Sequence, residues 1–140
     1  MNFYPWHEAL WQRVENAFNA NRFPHAVLLW GQAGLGKQDF AKKLIARLMC
    51  DSSSACGHCQ SCRWVIANTH PDLMTVEVED GKKQIGIEQI RQLQSAQALS
   101  SVKAGARVIW IPQAELLNIA ANNALLKILE EPNDNVYYIL

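Results

Sequence analysis

A glycine-rich loop between an apolar run and an amphipathic segment constrains the fold of this chain more than any other feature. The run AVLLW at residues 26–30 is typical of a buried parallel strand. After the loop, Phe40, Leu44 and Leu48 recur at helical spacing. Residues 31–37, GQAGLGK, lie between them with the G-x-x-x-x-G-K spacing of a phosphate-binding loop. This order of strand, tight turn and helix predicts a βα unit of an α/β sheet.

The loop has the chemistry of an anion site with one unusual residue. Gly31 and Gly36 permit backbone conformations that other residues disfavour, and Gly34 lies between them. Amide groups at a helix N-terminus attract anions, and Lys37 is long enough to reach outer phosphates. The next position, where a Ser or Thr hydroxyl binds magnesium, holds Gln38. The sequence leaves open whether this loop binds ATP or phosphate.

The end of a second apolar run tests the same chemistry independently. Phosphate-loop ATPases carry an acidic residue there that helps to hold the metal. After RVIWI at residues 107–111, this chain has Pro112 and Gln113, and the first acid is Glu115. Since both magnesium-handling positions lack suitable groups, we predict no magnesium binding and no ATP hydrolysis. An active ATPase that uses a remote acid such as Glu115 is the first alternative.

All four cysteines fall between residues 50 and 62, with the spacing C-x5-C-x2-C-x2-C. Four thiolates complete a tetrahedral zinc shell, and Cys-x2-Cys is the usual spacing of a zinc knuckle. The predicted ligands of a structural zinc are Cys50, Cys56, Cys59 and Cys62, because a closed shell leaves no position for substrate. His58 is a competing ligand, and disulfides or an iron–sulfur cluster are the other interpretations.

The rest of the chain alternates between predicted helices and strands. Apolar periodicity predicts helices over residues 6–21, 87–99 and 115–131, and strand signals cover residues 73–83, 107–111 and 135–140. This alternation predicts a mostly parallel sheet with helices on both faces. Because the last strand reaches Leu140 without a following helix, we expect the chain to be part of a longer protein.

Composition excludes several classes of protein. The formal net charge is zero, which indicates neither a nucleic-acid nor a membrane partner. Charged residues such as Glu8 and Arg13 interrupt the N-terminal region, which therefore lacks the apolar core of a signal peptide. No apolar run is long enough to span a bilayer. We therefore predict a cytoplasmic protein, in a compartment where thiols stay reduced.

Several stretches together resemble one family. They are FPHAVLLWGQAGLGK at residues 23–37, the cysteine insert after the phosphate-loop helix, THPDL at 69–73 and NNALLKILEEP at 122–132. Over its whole length, the chain resembles the N-terminal domain of delta-prime subunits of the bacterial DNA polymerase III clamp loader. Related gamma/tau ATPase subunits share the insert and the last stretch, but keep Thr or Ser after the lysine and an Asp-Glu pair after the second strand. The residues Gln38, Pro112 and Gln113 therefore favour delta-prime.

The resemblance implies a RecA-like AAA+ domain over residues 1–140, with a zinc module at 50–62 and lid and C-terminal collar domains beyond Leu140. It also implies a stator role in a hetero-pentamer with gamma/tau and delta subunits. That complex places a sliding clamp on primed DNA during replication. The resemblance implies that this subunit does not itself hydrolyse ATP. Nucleotidyltransferase activity would come only through association with the DNA-directed DNA polymerase. An arginine in a Ser-Arg-Cys motif, acting on a neighbouring ATP site, is implied beyond Leu140.

Three other interpretations remain open at this point. An active clamp-loader ATPase of gamma/tau type is the alternative function. A nucleoside monophosphate kinase with a four-cysteine lid is disfavoured, because such lids lie far downstream of the loop. A nucleic-acid-binding zinc module would use basic residues that we more readily interpret as solvated, namely Lys42, Lys43, Arg47, Lys82 and Lys83.

Overall fold

The structure is a computed structural model that describes residues 3–97 and 105–140. The described residues contain a four-stranded sheet in which every neighbouring pair is parallel. Its spatial order is β1-β4-β3-β2, with β1 at Ala26–Val27, β2 at Leu73–Thr75, β3 at Arg107–Trp110 and β4 at Val136–Ile139. The predicted parallel α/β sheet is therefore confirmed.

Five α-helices flank this sheet within the described residues. They are α1 (Glu8–Asn19), α2 (Lys37–Met49), α3 (Gln60–Ile66), α4 (Ile87–Gln97) and α5 (Ile119–Glu130). Short 3-10 segments precede α1 at Pro5–His7 and α5 at Ala114–Leu116. No helix among the described residues combines the length and the apolar character that crossing a membrane requires.

The sheet separates two cores, because successive strand residues point to opposite faces. Ile109 and Tyr138 contribute to a core that α4 and α5 complete. Val108 and Ile139 contribute to the other core, against α1, α2 and α3. All four side chains are fully buried. Burial on both faces explains why β3 and β4 are nearly continuous apolar runs in the sequence.

The first predicted strand is shorter and more exposed than its sequence indicates. β1 contains two residues, and beyond it Leu28 is 67% exposed and Trp30 is 92% exposed. Within the described part of the chain, β1 pairs only with β4 and lies at the edge of the sheet. The prediction of a buried strand across residues 26–30 is therefore wrong at these two side chains. An apolar run does not distinguish a central strand from an edge strand.

The predicted helix over residues 115–131 begins later than expected. Leu117 is extended and forms a parallel bridge with Ile85, and α5 starts only after Asn118. The Asn118 Oδ1 accepts a hydrogen bond from the Ala121 N–H at 2.8 Å and so caps the helix. The bridge to a distant segment and the local cap together outweigh the apolar periodicity.

Two further differences concern short elements. The sequence patterns give no sign of α3, which is too short for a periodicity and begins directly after Cys59 within the cysteine-rich segment. The strand signal over residues 73–83 yields only the three residues of β2, and the segment ends in a turn, in which the Lys82 N–H donates to the Glu79 carbonyl at 3.0 Å. Residues 98–99, at the end of the helix predicted over residues 87–99, lie outside the described residues.

Candidate functional site

A cleft of about 440 Å³ lies where α2 begins, close to the ends of β1 and β3. The glycine loop forms one side of the cleft, and the segment that follows β3 forms another. The structure therefore brings together the two stretches in which the sequence indicates missing magnesium ligands. The lining residues from these two stretches include Gly34, Gly36, Lys37, Gln38, Pro112, Gln113 and Glu115. Gly31 lines an adjoining cavity of about 430 Å³, again with Lys37 and Glu115.

Backbone geometry makes the loop an opening to the N-terminus of α2. Gly34 and Gly36 have φ values of +84° and +74°, in the left-handed region that favours glycine. Gly36 is the residue that precedes α2, so the free amides of the first helical turn follow it directly. Such amides and the helix dipole together favour a bound anion. The Tyr4 ring packs on this backbone, where a Cβ added at Gly36 would lie 2.5 Å from Tyr4 Cε2.

The ammonium of Lys37 is engaged by its own loop. Its Nζ donates hydrogen bonds to the carbonyl oxygens of Gly31 at 2.5 Å and Gln32 at 2.8 Å. These bonds close a ring from the first helical residue back to the start of the loop. An ammonium has three N–H donors, so these two bonds leave one donor of Lys37 for a phosphate that enters the cleft.

Carboxylates also face this cleft. Asp39 lies in the first turn of α2, where a negative charge is favourable to the helix dipole, and it lines the cleft. Glu115, which the sequence suggested as a remote acid, lines the cleft from the 3-10 turn before α5. The side chain that follows Lys37 is the amide of Gln38, not a hydroxyl. The cleft thus combines one cation and helix amides with two acidic residues.

The four cysteines converge to a single centre. Their Sγ atoms all lie within 4.8 Å of one another, and the Sγ–Sγ distances are 3.6 Å for Cys50–Cys56, 3.8 Å for Cys50–Cys59 and 4.0 Å for Cys56–Cys62. A tetrahedron with Zn–S bonds of about 2.3 Å has edges of about 3.8 Å. A disulfide would need sulfurs about 2 Å apart, and all four cysteines are free. The cluster therefore fits a bound metal ion and contradicts the disulfide interpretation.

Hydrogen bonds within the two Cys-x2-Cys turns orient the sulfurs. The Cys59 N–H donates to Cys56 Sγ, and the Cys62 N–H donates to Cys59 Sγ, both at 3.4 Å. Gly57 has a φ of +80°, which the first turn requires. The His58 ring is exposed, and its Nδ1 lies 2.8 Å from the Cys56 carbonyl oxygen. Among the described residues, the potential metal-ligand cluster consists of the four cysteines without His58.

The cysteines differ in the pKa of their thiols. Burial alone would raise the pKa of Cys50, but hydrogen bonds from the Ser52 hydroxyl and from neighbouring backbone amides outweigh it and lower the pKa to about 5. Backbone amide hydrogen bonds, led by the one from His58, also lower the pKa of Cys56. Burial raises the pKa of Cys62 above its usual range. Amide and hydroxyl donors around Cys50 and Cys56 favour the thiolate form that a metal requires.

The cysteine module is part of a main core and does not form a separate unit. Cys62 is fully buried and belongs to the same core cluster as Val108 and Ile139. The hydroxyl of Ser61 also donates to Asp51 Oδ1 at 2.8 Å, which ties the start of α3 to the residue after Cys50. A metal at this centre would therefore cross-link α3 to the end of α2 directly over the sheet.

Two basic residues of α2, Lys43 and Arg47, have structural partners. Arg47 forms an ion pair with Glu15, with 2.9 Å between Nε and Oε1, and its guanidinium lies 4.3 Å from the centre of the Phe18 ring. The Lys43 ammonium lies 3.3 Å from the centre of the Phe3 ring, and burial lowers the pKa of this lysine. These contacts join α2 to α1 and the N-terminal segment, as expected for a packing role and not for phosphate recognition.

The sequence patterns do not predict the contact between the N-terminal segment and the glycine loop. The Trp6 indole N–H donates to the carbonyl oxygen of Leu35, inside the glycine loop, at 3.1 Å. The His7 Nε2 lies 2.9 Å from the same oxygen. The only local signal is the aromatic cluster around Pro5, which resembles ordinary core packing in the sequence. No motif links it to a loop that begins more than twenty residues later.

Comparison with known proteins establishes the family. The sequence profile of the family described as DNA polymerase III, delta subunit, matches residues 6–140. The delta-prime subunit of DNA polymerase III from Yersinia pestis is 40% identical over 143 residues, which cover 100% of this chain and 42% of that relative. The chain belongs to the delta-prime family of DNA polymerase III subunits. It spans less than half the length of this relative.

A gamma/tau relative and a solved structure complete the comparison. The gamma/tau subunit from Mycobacterium tuberculosis is 32% identical over 126 residues, which cover 88% of this chain and 22% of that relative. The crystal structure of a gamma subunit-related protein from Thermotoga maritima matches with a TM-score of 0.60 at 18% identity, over 95% of this chain and 38% of that one. At that identity the likeness concerns the fold alone. The predicted α/β AAA+ fold with a four-cysteine module is confirmed.

Proposed function

We propose that this chain is the stator domain of a clamp-loader delta-prime subunit and does not hydrolyse ATP. The observation that carries the proposal is the pairing of Gln38 with Pro112 and Gln113 in one cleft. Phosphoryl transfer needs magnesium held by a hydroxyl after the lysine and by an acid after the second strand. The cleft keeps the shape of the site while both of these groups are missing, which is suited to a scaffold and not to a motor.

The proposed partners follow from family membership. They are gamma/tau and delta subunits in a hetero-pentamer and, through that complex, the sliding clamp and primed DNA. Lid and collar domains would lie in the part of the delta-prime relatives that this chain does not span. We place the protein in the cytoplasm, where reduced thiols are available for a metal. Any nucleotidyltransferase activity belongs to the polymerase with which the complex associates.

The glycine loop, in this proposal, remains a weak anion site. Gly31, Gly34 and Gly36 shape the loop, Lys37 supplies the cation, and Gln38 replaces the magnesium-binding hydroxyl. Support comes from the free amides that begin α2 and from the Lys37 ammonium beside them. The acidic side chains that line the cleft oppose a phosphate electrostatically. We therefore expect inorganic phosphate to bind weakly and without magnesium.

A structural zinc is the metal that we assign to Cys50, Cys56, Cys59 and Cys62. Four sulfurs at close to tetrahedral spacing suit zinc, and a four-sulfur shell leaves no coordination position for substrate. The ion would supply cross-links between α2 and α3, and it would take no part in a reaction. An iron–sulfur cluster uses the same ligands, so elemental analysis is the measurement that separates the two.

The decisive test of the stator proposal is ATP turnover. Purified protein with magnesium and ATP should release phosphate no faster than a Lys37→Ala variant, because neither protein can hold the metal. Magnesium-dependent turnover that Lys37→Ala abolishes would overturn the proposal. If that turnover were also lost in Glu115→Gln, the gamma/tau type of ATPase would be favoured, with Glu115 as its acid.

A further inference from the structure

We infer that Trp6 and His7 are positioning residues, which hold the glycine loop in its anion-ready conformation before any ligand arrives. They do so through one backbone atom, the carbonyl oxygen of Leu35. This inference deepens the proposed anion site, and it rests on that site only for its binding measurement. The conformation of the loop can be tested separately.

Both acceptor positions of the Leu35 oxygen are used by the N-terminal segment. The Trp6 Nε1–H donates at 3.1 Å, and the His7 Nε2 lies at 2.9 Å. A carbonyl oxygen accepts hydrogen bonds and donates none, so the His7 Nε2 carries a proton and is the donor in this bond. The His7 Nδ1 is buried without a hydrogen-bond partner among the described residues. Of the two ring nitrogens, Nε2 is thus the one that holds the loop.

The peptide bond between Leu35 and Gly36 links the hydrogen-bonded carbonyl to the cleft. The described chain contains no cis peptide bond, so the Leu35 C=O and the Gly36 N–H point in opposite directions across one rigid plane. The carbonyl points to Trp6 and His7, and the amide therefore points away from them. Gly36 lines the cleft, whereas Leu35 lines a groove with Trp6 and His7. Fixing the carbonyl consequently fixes the direction of an amide at the anion cleft.

Aromatic packing keeps the two donors in place. The Trp6 ring stacks on Tyr4, with centroids 4.8 Å apart and an interplanar angle of 5°. The His7 ring meets the Phe40 ring edge-on at 5.3 Å, and Phe40 is a buried residue of α2. His7 thus contacts the same helix whose N-terminus the loop enters, and the Trp6 ring contacts the His7 ring with centroids 6.1 Å apart. A loop held in this way loses less freedom on binding than a free loop does.

The test is amide hydrogen exchange in the whole chain at Phe40, whose N–H donates to the Gly36 carbonyl at 3.0 Å; this bond opens when the loop moves, and we call its rate loop exchange. Trp6→Phe keeps an aromatic ring and removes the indole N–H, and His7→Leu removes the second donor. Because one hydrogen bond contributes a factor of about three to ten, each loss should accelerate loop exchange by about that factor. The buried amide of Ile109 should not change. His7→Gln keeps an N–H donor and should restore much of the protection.

Trp11→Phe is the matched control for ring packing. Trp11 belongs to the same aromatic cluster, with contacts to Phe3 and Phe40. It should leave loop exchange unchanged. Equal acceleration in Trp11→Phe, or unchanged exchange in Trp6→Phe, would overturn the inference. If His7→Leu does not fold, Trp6→Phe decides, because Trp6 is 58% exposed and the substitution keeps an aromatic ring at this position.

Titration with inorganic phosphate separates this inference from the proposed anion site. If the wild-type chain binds phosphate, Trp6→Phe should weaken binding by about the factor seen in exchange. Binding that is unchanged in a variant with a loosened loop would show that the hydrogen bonds do not prepare the site, and would overturn the inference. If the wild-type chain binds no phosphate, the proposed anion site fails, and loop exchange in Trp6→Phe alone decides whether the loop is held.

Discussion

Gly34 and Gly36 have the same left-handed backbone conformation but different surroundings. A Cβ added at Gly34 would meet no described atom within 4 Å. A Cβ added at Gly36 would lie 2.5 Å from Tyr4 Cε2 and 3.1 Å from His7 Cε1. Gly34 is therefore required for its backbone conformation alone, whereas Gly36 is required for both conformation and space.

Alanine at each of these positions should separate the two requirements. Gly34→Ala should lower the free energy of unfolding by about 1–2 kcal/mol, which is the cost of a left-handed conformation. Gly36→Ala should lower it by about 1–3 kcal/mol more, because Tyr4 and His7 have to move. Denaturant unfolding of both variants measures the difference. Equal losses of unfolding free energy would mean that Tyr4 and His7 do not restrict the space at Gly36.

At the scale of elements, the start of α5 shows how one side chain sets a boundary. The apolar pattern continues through Leu116 and Leu117, but the helix begins at the cap that Asn118 provides. The Asn118 N–H also donates to the Ile85 carbonyl at 3.0 Å, which fixes the chain just before the helix. This boundary places Glu115 in the 3-10 turn at the cleft and not in the helix.

Removal of the cap should destabilise the domain by a predictable amount. Asn118→Ala loses the bond to the Ala121 amide and should cost about 1 kcal/mol of unfolding free energy. Asn123→Ala is the matched control, since it is an exposed site on the same helix where alanine is the better helix former. Thermal or denaturant unfolding should show a loss only for Asn118→Ala. A comparable loss in both variants would argue against the cap.

At the scale of the whole molecule, the four-cysteine cluster and the sheet share one core. Cys62 packs with Val108 of β3 and Ile139 of β4, so the cysteine module has no core of its own. A segment that depends on a metal for its structure would therefore transmit the loss of that metal to the central strands. We expect a single cooperative unit and not a domain with an independent zinc module.

Metal removal tests this expectation together with the zinc assignment. Elemental analysis should find one zinc per chain, and chelation should lower the stability of the whole domain. The loss reaches about 4 kcal/mol if free zinc had been a thousandfold above its dissociation constant. Far-ultraviolet circular dichroism and the fluorescence of the tryptophans should shift to the same lower midpoint.

The neighbouring histidine supplies the control for the cysteine ligands. Cys59→Ser should release the metal and reproduce the effect of chelation, whereas His58→Ala should retain it, because that ring lies outside the sulfur cluster. A fully folded wild-type protein that contains no metal, or one that contains iron, would refute the assignment. An unfolding transition of the cysteine module alone, with the sheet unaffected, would contradict the shared core.

Much of this architecture can be predicted from the amino-acid sequence. Apolar runs and helical periodicity located the parallel sheet and four of the five described helices, because burial on both faces leaves a continuous apolar pattern. Helix α3 was not readable, since its structure depends on hydrogen bonds to cysteine sulfurs and not on periodicity. The exposure of the Leu28 and Trp30 side chains could not be predicted from the sequence either, since it depends on which strands neighbour β1.

The sequence by itself determined the chemistry of the two candidate centres. The glycine spacing, Lys37, the replacement at Gln38 and the four cysteines are all local in the chain, and local spacing is what sequence patterns record. Only the tertiary structure decided that Gln113 and Glu115 share a cleft with Gln38, and that Trp6 and His7 hold the loop. These are contacts between segments far apart in sequence, which form because both cores bury apolar surface around one sheet.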